Sequence, residues 1–134
     1  MFKRMKLPCE LIVNDVLPTA RGAIARSLVR NHGYTQIRVA ETFGVTGAAV
    51  SQYLKGLRGG NPVIDNSSMR DDFYKMTDKA ADMISEGYNV TEVLCAICTY
   101  VKSSGLIDSL YESSGSEGTL ASCSECPRFN IYMQ

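Results

Sequence analysis

The chain has 134 residues, 45% of them hydrophobic, and no net charge at neutral pH. This is the size of one compact domain with a single core. It contains no apolar run long enough to cross a bilayer, and its first residues, MFKRMKLPCE, lack the apolar centre of a signal peptide. We therefore expect a cytoplasmic protein with no membrane partner.

The zero net charge conceals a division between two parts of the chain. Residues 1–60 carry nine basic side chains against three acidic ones, a charge of +6, and residues 61–134 carry five against eleven, a charge of −6. Glycines and an Asn-Pro step at 59–62 interrupt regular structure between them. The asymmetry predicts a basic module at 1–60 for a polyanion and an acidic module at 61–134, although charge alone equally fits an uneven surface.

The first part of the chain reads as helical throughout. Apolar residues recur at helical spacing from Leu11 to Val29. Pro18 either kinks one helix there or begins a second, and Gly33 ends the segment. Helical patterns also follow the break near residue 60, so the sequence predicts an all-α fold.

Two short helices are predicted between residues 35 and 56. Thr35 can cap a helix that runs to about Phe43, because its hydroxyl can accept a hydrogen bond from a backbone N–H of the first turn. Thr46 can cap a second helix that ends at Gly56, and Gly44 can take the positive φ of the turn between them. Five apolar residues can fill the space between the two helices: Val39, Phe43, Val45, Val50 and Leu54.

This segment resembles a known DNA-binding family. Gln36, Ala40, Gly44, Val50 and Ser51 stand where the helix-turn-helix of the phage-repressor type has Gln, Ala, Gly, an aliphatic residue and Ser. The resemblance implies that the second helix enters the major groove of double-stranded DNA, and that a homodimer pairs over a pseudo-palindromic operator. Unrelated αα-hairpins can mimic the pattern, but the charge of +6 favours DNA.

The resemblance also implies which residues contact DNA. The amide of Gln52 can donate and accept in the pattern that an adenine edge offers, and Ser51 can reach a base or a phosphate. Gln36 would anchor a phosphate, and the basic side chains would set orientation. The expected contact residues are Gln36, Arg38, Thr46, Gly47, Ala48, Ser51, Gln52, Lys55 and Arg58.

Three stretches together carry a wider resemblance: 7-LPCE-10, 48-AAVSQYLKGLRG-59 and 95-CAIC-98. The chain looks like a group of predicted archaeal transcriptional regulators in which a repressor-like helix-turn-helix precedes a helical region that bears cysteines. That likeness implies an archaeal, anaerobic setting.

After the break, Ser67 or Ser68 can cap a helix with an apolar seam. Steps of four and three separate its five members: Met69, Phe73, Met76, Ala80 and Met83. The seam could pack within the chain or on a second copy. We expect a homodimer, with this helix as one candidate for the contact.

The next helix carries the first of two CxxC pairs. Asn89 and Glu92 have the spacing of a capping box, and Gly105 marks the end. Cys95 and Cys98 lie three residues apart on this helix, so both thiolates can reach one metal.

The second pair, Cys123 and Cys126, follows a glycine- and serine-rich loop at 113–122 that could fold it back onto the helix. Four thiolates would then form a tetrahedral zinc site or hold an iron-sulfur cluster. We favour a [4Fe-4S] cluster because the first pair lies within a helix and a proline follows the last cysteine. Cys9 could replace one ligand. Disulfides and inert buried cysteines are the remaining alternatives.

Catalysis finds little support in the sequence. His32, the sole histidine, precedes a glycine at a helix end, where it would interact with the helix dipole. The sequence has no phosphate-binding glycine loop. We therefore do not expect an enzyme. We expect a DNA-binding regulator in which oxidation or loss of the cluster changes the spacing of the recognition helices. The competing hypothesis is a zinc-stabilised DNA-binding or protein-interaction module with no sensing role.

Overall fold

The computed structural model describes residues 10, 12–56 and 61–108. Within these ranges the chain is helical and contains no strand, as the sequence predicts. A π-helical turn, Ile12–Val16, precedes six helices: α1 Leu17–His32, α2 Gln36–Phe43, α3 Gly47–Leu54, α4 Pro62–Asp65, α5 Arg70–Ser85 and α6 Val90–Ser104. None of them has the length and hydropathy that a membrane-spanning helix needs. The predicted loop at 113–122, Arg58, Cys9, Cys123 and Cys126 lie outside the described residues.

Pro18 does not interrupt the helical segment that begins at Ile12, but the turn before it is π-helical and not α-helical. It occupies the first turn of α1, where its missing N–H costs no hydrogen bond. The π-helical turn lies directly before it, and the Thr19 hydroxyl donates to the Asp15 carbonyl at 2.9 Å across the junction. The two predicted alternatives, a kink and a new start, each describe part of this arrangement. Gly33 ends α1 with a φ of 68°, as expected.

The predicted caps of α2 and α3 are confirmed. The Thr35 hydroxyl accepts a hydrogen bond from Arg38 N at 3.1 Å, and the Thr46 hydroxyl accepts one from Ala49 N at 3.1 Å. Gly44 takes a φ of 65° between the two helices, a conformation that disfavours residues with a Cβ.

Helix α1 lies at the centre of the packing. It contacts α3 on one side and α5 on another, α2 packs on α3, and α6 packs on α5. Ile24 and Leu28 of α1, Val50 of α3 and Phe73 of α5 are fully buried in one apolar cluster. Residues from both sides of position 60 therefore share a core, and the division into modules at 1–60 and 61–134 stays a prediction.

Helix α5 differs from its prediction in cap and in face. Ser67 accepts a hydrogen bond from Met69 N at 3.0 Å, but no side chain caps the first turn of the helix itself. Of the predicted seam, Phe73 and Ala80 are buried, whereas the three methionines are half-buried. The buried face is completed by other residues: Thr77, Ala81 and Ile84.

His32 makes a long-range contact that the sequence did not predict. Its Nε2 lies 2.8 Å from Oδ1 of Asp82, fifty residues away, so the pair joins the end of α1 to α5. The predicted interaction with the dipole of its own helix stays a prediction, since His32 lies in the last turn of α1.

A tyrosine joins α4 to α5 and should make stability fall at high pH. The Tyr74 hydroxyl donates to Asp65, and burial, this hydrogen bond and the nearby carboxylate raise the pKa of Tyr74 from 10.0 to about 12. Because the folded protein holds the proton more tightly, the contribution of Tyr74 is present below pH 10 and is lost as pH rises toward 12. Denaturant titrations across that range should show a smaller pH dependence of the unfolding free energy for Tyr74→Phe. An identical slope in the two proteins would contradict this assignment.

Candidate nucleic-acid interface and cysteine pair

Helix α3 presents a buried face and an exposed face, as predicted. Val50 and Tyr53 are buried, and Leu54 packs partly against the core. Ser51 is half-buried. The remaining predicted contact residues around this helix are exposed: Thr46, Gly47, Ala48, Gln52 and Lys55. The arrangement arises because the Thr46 cap fixes the first residue of the helix, and helical spacing then directs Val50 and Tyr53 toward α1.

One side chain of α1 holds the end of α3. Arg26 Nη1 donates to the Tyr53 carbonyl oxygen at 3.0 Å. The same carbonyl also accepts from Gly56 N at 3.2 Å, so the guanidinium adds a second hydrogen bond at the C-terminus of α3, where a positive charge complements the helix dipole. Sequence reasoning missed this positioning residue, because the two residues lie 27 positions apart.

Helix α2 places Gln36 and Arg38 on the surface, as the resemblance requires. The Arg38 guanidinium lies over the Tyr34 ring, 3.9 Å from its centroid, a cation–π contact that limits its freedom. Between Gln36 and Arg38, Ile37 is 72% exposed. An apolar side chain here could contact the sugars or a thymine methyl group beside the phosphates that Gln36 and Arg38 would bind. Helical periodicity identifies residues that face the core. It therefore did not single out Ile37, which lies on the exposed face of α2.

The first cysteine pair lies on α6, with the predicted cap at its start. Asn89 Oδ1 accepts from Glu92 N at 3.1 Å. Cys95 is exposed, whereas Cys98, one turn later, is half-buried against the core. Within residues 10, 12–56 and 61–108, no group of three potential ligands could hold a metal ion. Any site with four thiolates must therefore recruit cysteines outside this part of the chain.

Two of the half-buried methionines of the predicted seam lie beside α6. Met76 and Met83 line a groove of about 170 Å³ together with Val93, Ile97 and Tyr100 of α6. Burial, followed by the charge of Asp72, raises the pKa of Tyr100. The two helices that line the groove both lie within residues 61–134. The predicted apolar seam therefore contributes to the contact between α5 and α6 as well as to the core.

Comparisons with protein-family models, with curated proteins and with solved structures find no match to this chain. A functional assignment must therefore be built from its own residues. Three features are available for it: an exposed polar face on a capped helix, basic residues around it, and a pair of cysteines on a separate helix, of which Cys95 is exposed and Cys98 is half-buried.

Proposed function

We propose that this protein is a sequence-specific, DNA-binding transcriptional regulator, which acts in the cytoplasm as a homodimer on a pseudo-palindromic operator. The observation that carries the proposal is the division of α3, which buries Val50 and Tyr53 and exposes Gln52. A short helix after a tight turn, with polar residues facing outward, is the arrangement that helix-turn-helix proteins insert into the major groove. The second module of 61–134 would serve dimerisation and sensing.

We further propose that the cysteines hold a [4Fe-4S] cluster. Cys95 and Cys98 fit as one half of the ligand set, because both thiols lie on one helix, one turn apart, and Cys95 is exposed. Cys123 and Cys126 would supply the other half, with Cys9 as a possible replacement for one of them. A bound cluster supplies one-electron redox chemistry, which a regulator can use to sense oxidants or iron supply. Zinc would use the same thiolates without that chemistry.

A continuous series of helix contacts connects the cysteine pair to the proposed recognition helix. Helix α6 packs on α5, α5 packs on α1, and α1 packs on α3. Arg26 adds a direct hydrogen bond from α1 to the end of α3. A change in the packing of α6 would therefore reach α3 through α5 and α1, and altered spacing of two recognition helices would mismatch the roughly 34 Å repeat of the major groove.

DNA binding by the purified full-length protein tests the proposal. Each Lys or Arg that neutralises a phosphate releases counterions, so the logarithm of the affinity should fall linearly with the logarithm of salt concentration. Binding should be measured with selected operator sequences and with a random duplex, at several salt concentrations, in oxygen-free buffer and after oxidation. An absence of binding in both states would refute the DNA-binding role and favour a protein-interaction module.

Gln52→Ala should weaken operator binding by about 5- to 150-fold, which corresponds to the 1–3 kcal/mol of a bidentate base contact. Gln52 is exposed, so the fold should not change. Competition titrations against operators with single base changes measure the effect, and the variant should lose preference at one position of each half-site. Lys55→Ala is the matched control, because the loss of a phosphate contact weakens all sequences alike and reduces the salt slope by about one. A uniform loss for Gln52→Ala would remove its base-reading role.

A further inference from the structure

A polar cleft of about 300 Å³ lies between α1 and α5, away from the exposed face of α3. Arg26, Ser27, Arg30 and Asn31 line it from α1, and Tyr74 and Asp78 from α5. Its volume is at the lower end of the range for ligand sites in proteins, which suits a small metabolite. Nothing in the proposed DNA-binding role requires a cleft at this position.

Some polar groups of the cleft are paired within the protein, whereas two exposed charged residues, Arg30 and Asp78, are not paired within the part of the chain that the structure describes. The Asn31 amide donates to the Ser27 hydroxyl at 3.1 Å, and Tyr74 donates to Asp65. By contrast, among the described residues neither Arg30 nor Asp78 has an ion-pair partner. The cleft therefore holds a guanidinium and a carboxylate that do not neutralise each other.

We propose that this cleft binds a small zwitterion with the chemistry of a free α-amino acid. The ligand carboxylate would bind Arg30, with Arg26 one helical turn away, and its ammonium group would bind Asp78. A dianion such as phosphate would be repelled by Asp78, and a simple cation would be repelled by the two guanidinium groups. A molecule that carries both charges matches both the guanidinium groups and the carboxylate.

Arg26 connects the cleft to the proposed recognition helix. The same guanidinium that lines the cleft donates to the Tyr53 carbonyl at the end of α3. A carboxylate is a stronger acceptor than a neutral carbonyl, so a bound ligand would compete for Arg26 and loosen the end of α3. This consequence rests on the proposed DNA-binding function, whereas binding in the cleft does not.

The binding test uses the full-length protein without DNA. Thermal unfolding is measured with each standard amino acid in millimolar excess, and calorimetry then gives the affinity of the one that stabilises most. We expect at least one amino acid to bind, and its amide and its N-acetyl derivative, each lacking one charge, to bind at least about 10-fold more weakly. If no amino acid stabilises the protein, the proposal is wrong.

Two conservative variants locate the site. Arg30→Gln and Asp78→Asn should each weaken the binding of that amino acid about 10-fold or more, while the apo proteins unfold as the wild type does. Asp71→Asn, an exposed acid on α5 outside the cleft, is the matched control and should bind normally. Equal affinity in all four proteins would place the ligand elsewhere and overturn the assignment.

DNA then tests the coupling. The amino acid should lower operator affinity, and by linkage the operator should lower the affinity for the amino acid by the same factor, typically about 5- to 150-fold. Unchanged DNA affinity with ligand bound would exclude the regulatory role of Arg26. If the protein fails to bind DNA at all, the proposed function fails, while the calorimetric result still decides the cleft.

Discussion

Replacing Cys95 by serine is expected to abolish assembly of the [4Fe-4S] cluster, so that protein purified without oxygen loses its colour, its visible absorption and its bound iron. A serine hydroxyl is a harder and much less acidic ligand than a thiol, and the proposed cluster is held by four cysteine thiolates. Cys95 is exposed, so the substitution should leave the fold of α6 intact. Iron analysis, absorption spectra and circular dichroism of the variant measure these effects.

Matched variants distinguish a cysteine that holds the cluster from a neighbouring residue that does not. Thr99→Ala changes another exposed residue one turn further along α6 and should keep the full iron content. Among the cysteines outside the described residues, a cluster retained in Cys123→Ala but lost in Cys9→Ala would identify Cys9 as the replacement ligand. A colourless wild-type protein with one zinc per chain, and no iron after reconstitution, would refute the cluster and support the zinc alternative.

Local signals in the sequence predicted the helix boundaries well. Thr35, Thr46 and Asn89 cap the helices that were expected, each through a hydrogen bond of 3.1 Å to a backbone N–H three residues later. Gly33 and Gly44 take the positive φ expected of them. These features depend on residues within one turn of each other, so the sequence around them is sufficient.

Contacts between distant residues could not be read in the same way. The hydrogen bond from Arg26 to Tyr53 and the pair of His32 with Asp82 depend on how α1 lies against α3 and α5. The sequence offers no basis for choosing these partners, because long polar side chains on a helix surface have many partners within reach. The choice among those partners is made by packing.

The apolar seam of α5 shows why spacing alone does not fix a buried face. Both the predicted set and the observed set have helical periodicity, and they share Phe73 and Ala80. Thr77 has a polar side chain, but its hydroxyl donates to the Tyr74 carbonyl at 2.8 Å, so its burial leaves no unsatisfied group. Met76 and Met83 lie toward α6 instead, where flexible side chains can fill an irregular groove.

The candidate metal site could be predicted only in part, because only the first cysteine pair lies in a segment with helical periodicity. Helical periodicity places Cys95 and Cys98 on one helix and one turn apart, and the helix around them has a clear pattern. The second pair follows a stretch of glycine and serine with no periodicity. The sequence therefore shows which residue types are available there but does not predict their position relative to the first pair.

Phe73→Ala should destabilise the whole described structure by about 3–5 kcal/mol, the usual cost of removing a fully buried aromatic ring. Phe73 has no exposed surface, and its ring packs edge-on against Tyr74 with centroids 5.4 Å apart. Thermal unfolding should show one transition whose midpoint falls by about 10 °C or more. Lys75→Ala, an exposed change on the same helix, is the control and should shift the midpoint little.

Hydrogen exchange in the same variant would decide whether the chain divides at residue 60. Phe73 lies on the acidic side of that boundary, but α5 packs on α1, and α1 supports α3. If the two sides unfold together, Phe73→Ala should accelerate exchange of the α3 amides as much as exchange of those in α5. Unchanged protection in α3 with loss of protection in α5 would mean that residues 1–60 fold as an independent module. In the cooperative case, any perturbation that loosens α5, including one that begins at the cysteines of α6, also loosens the support of the proposed recognition helix.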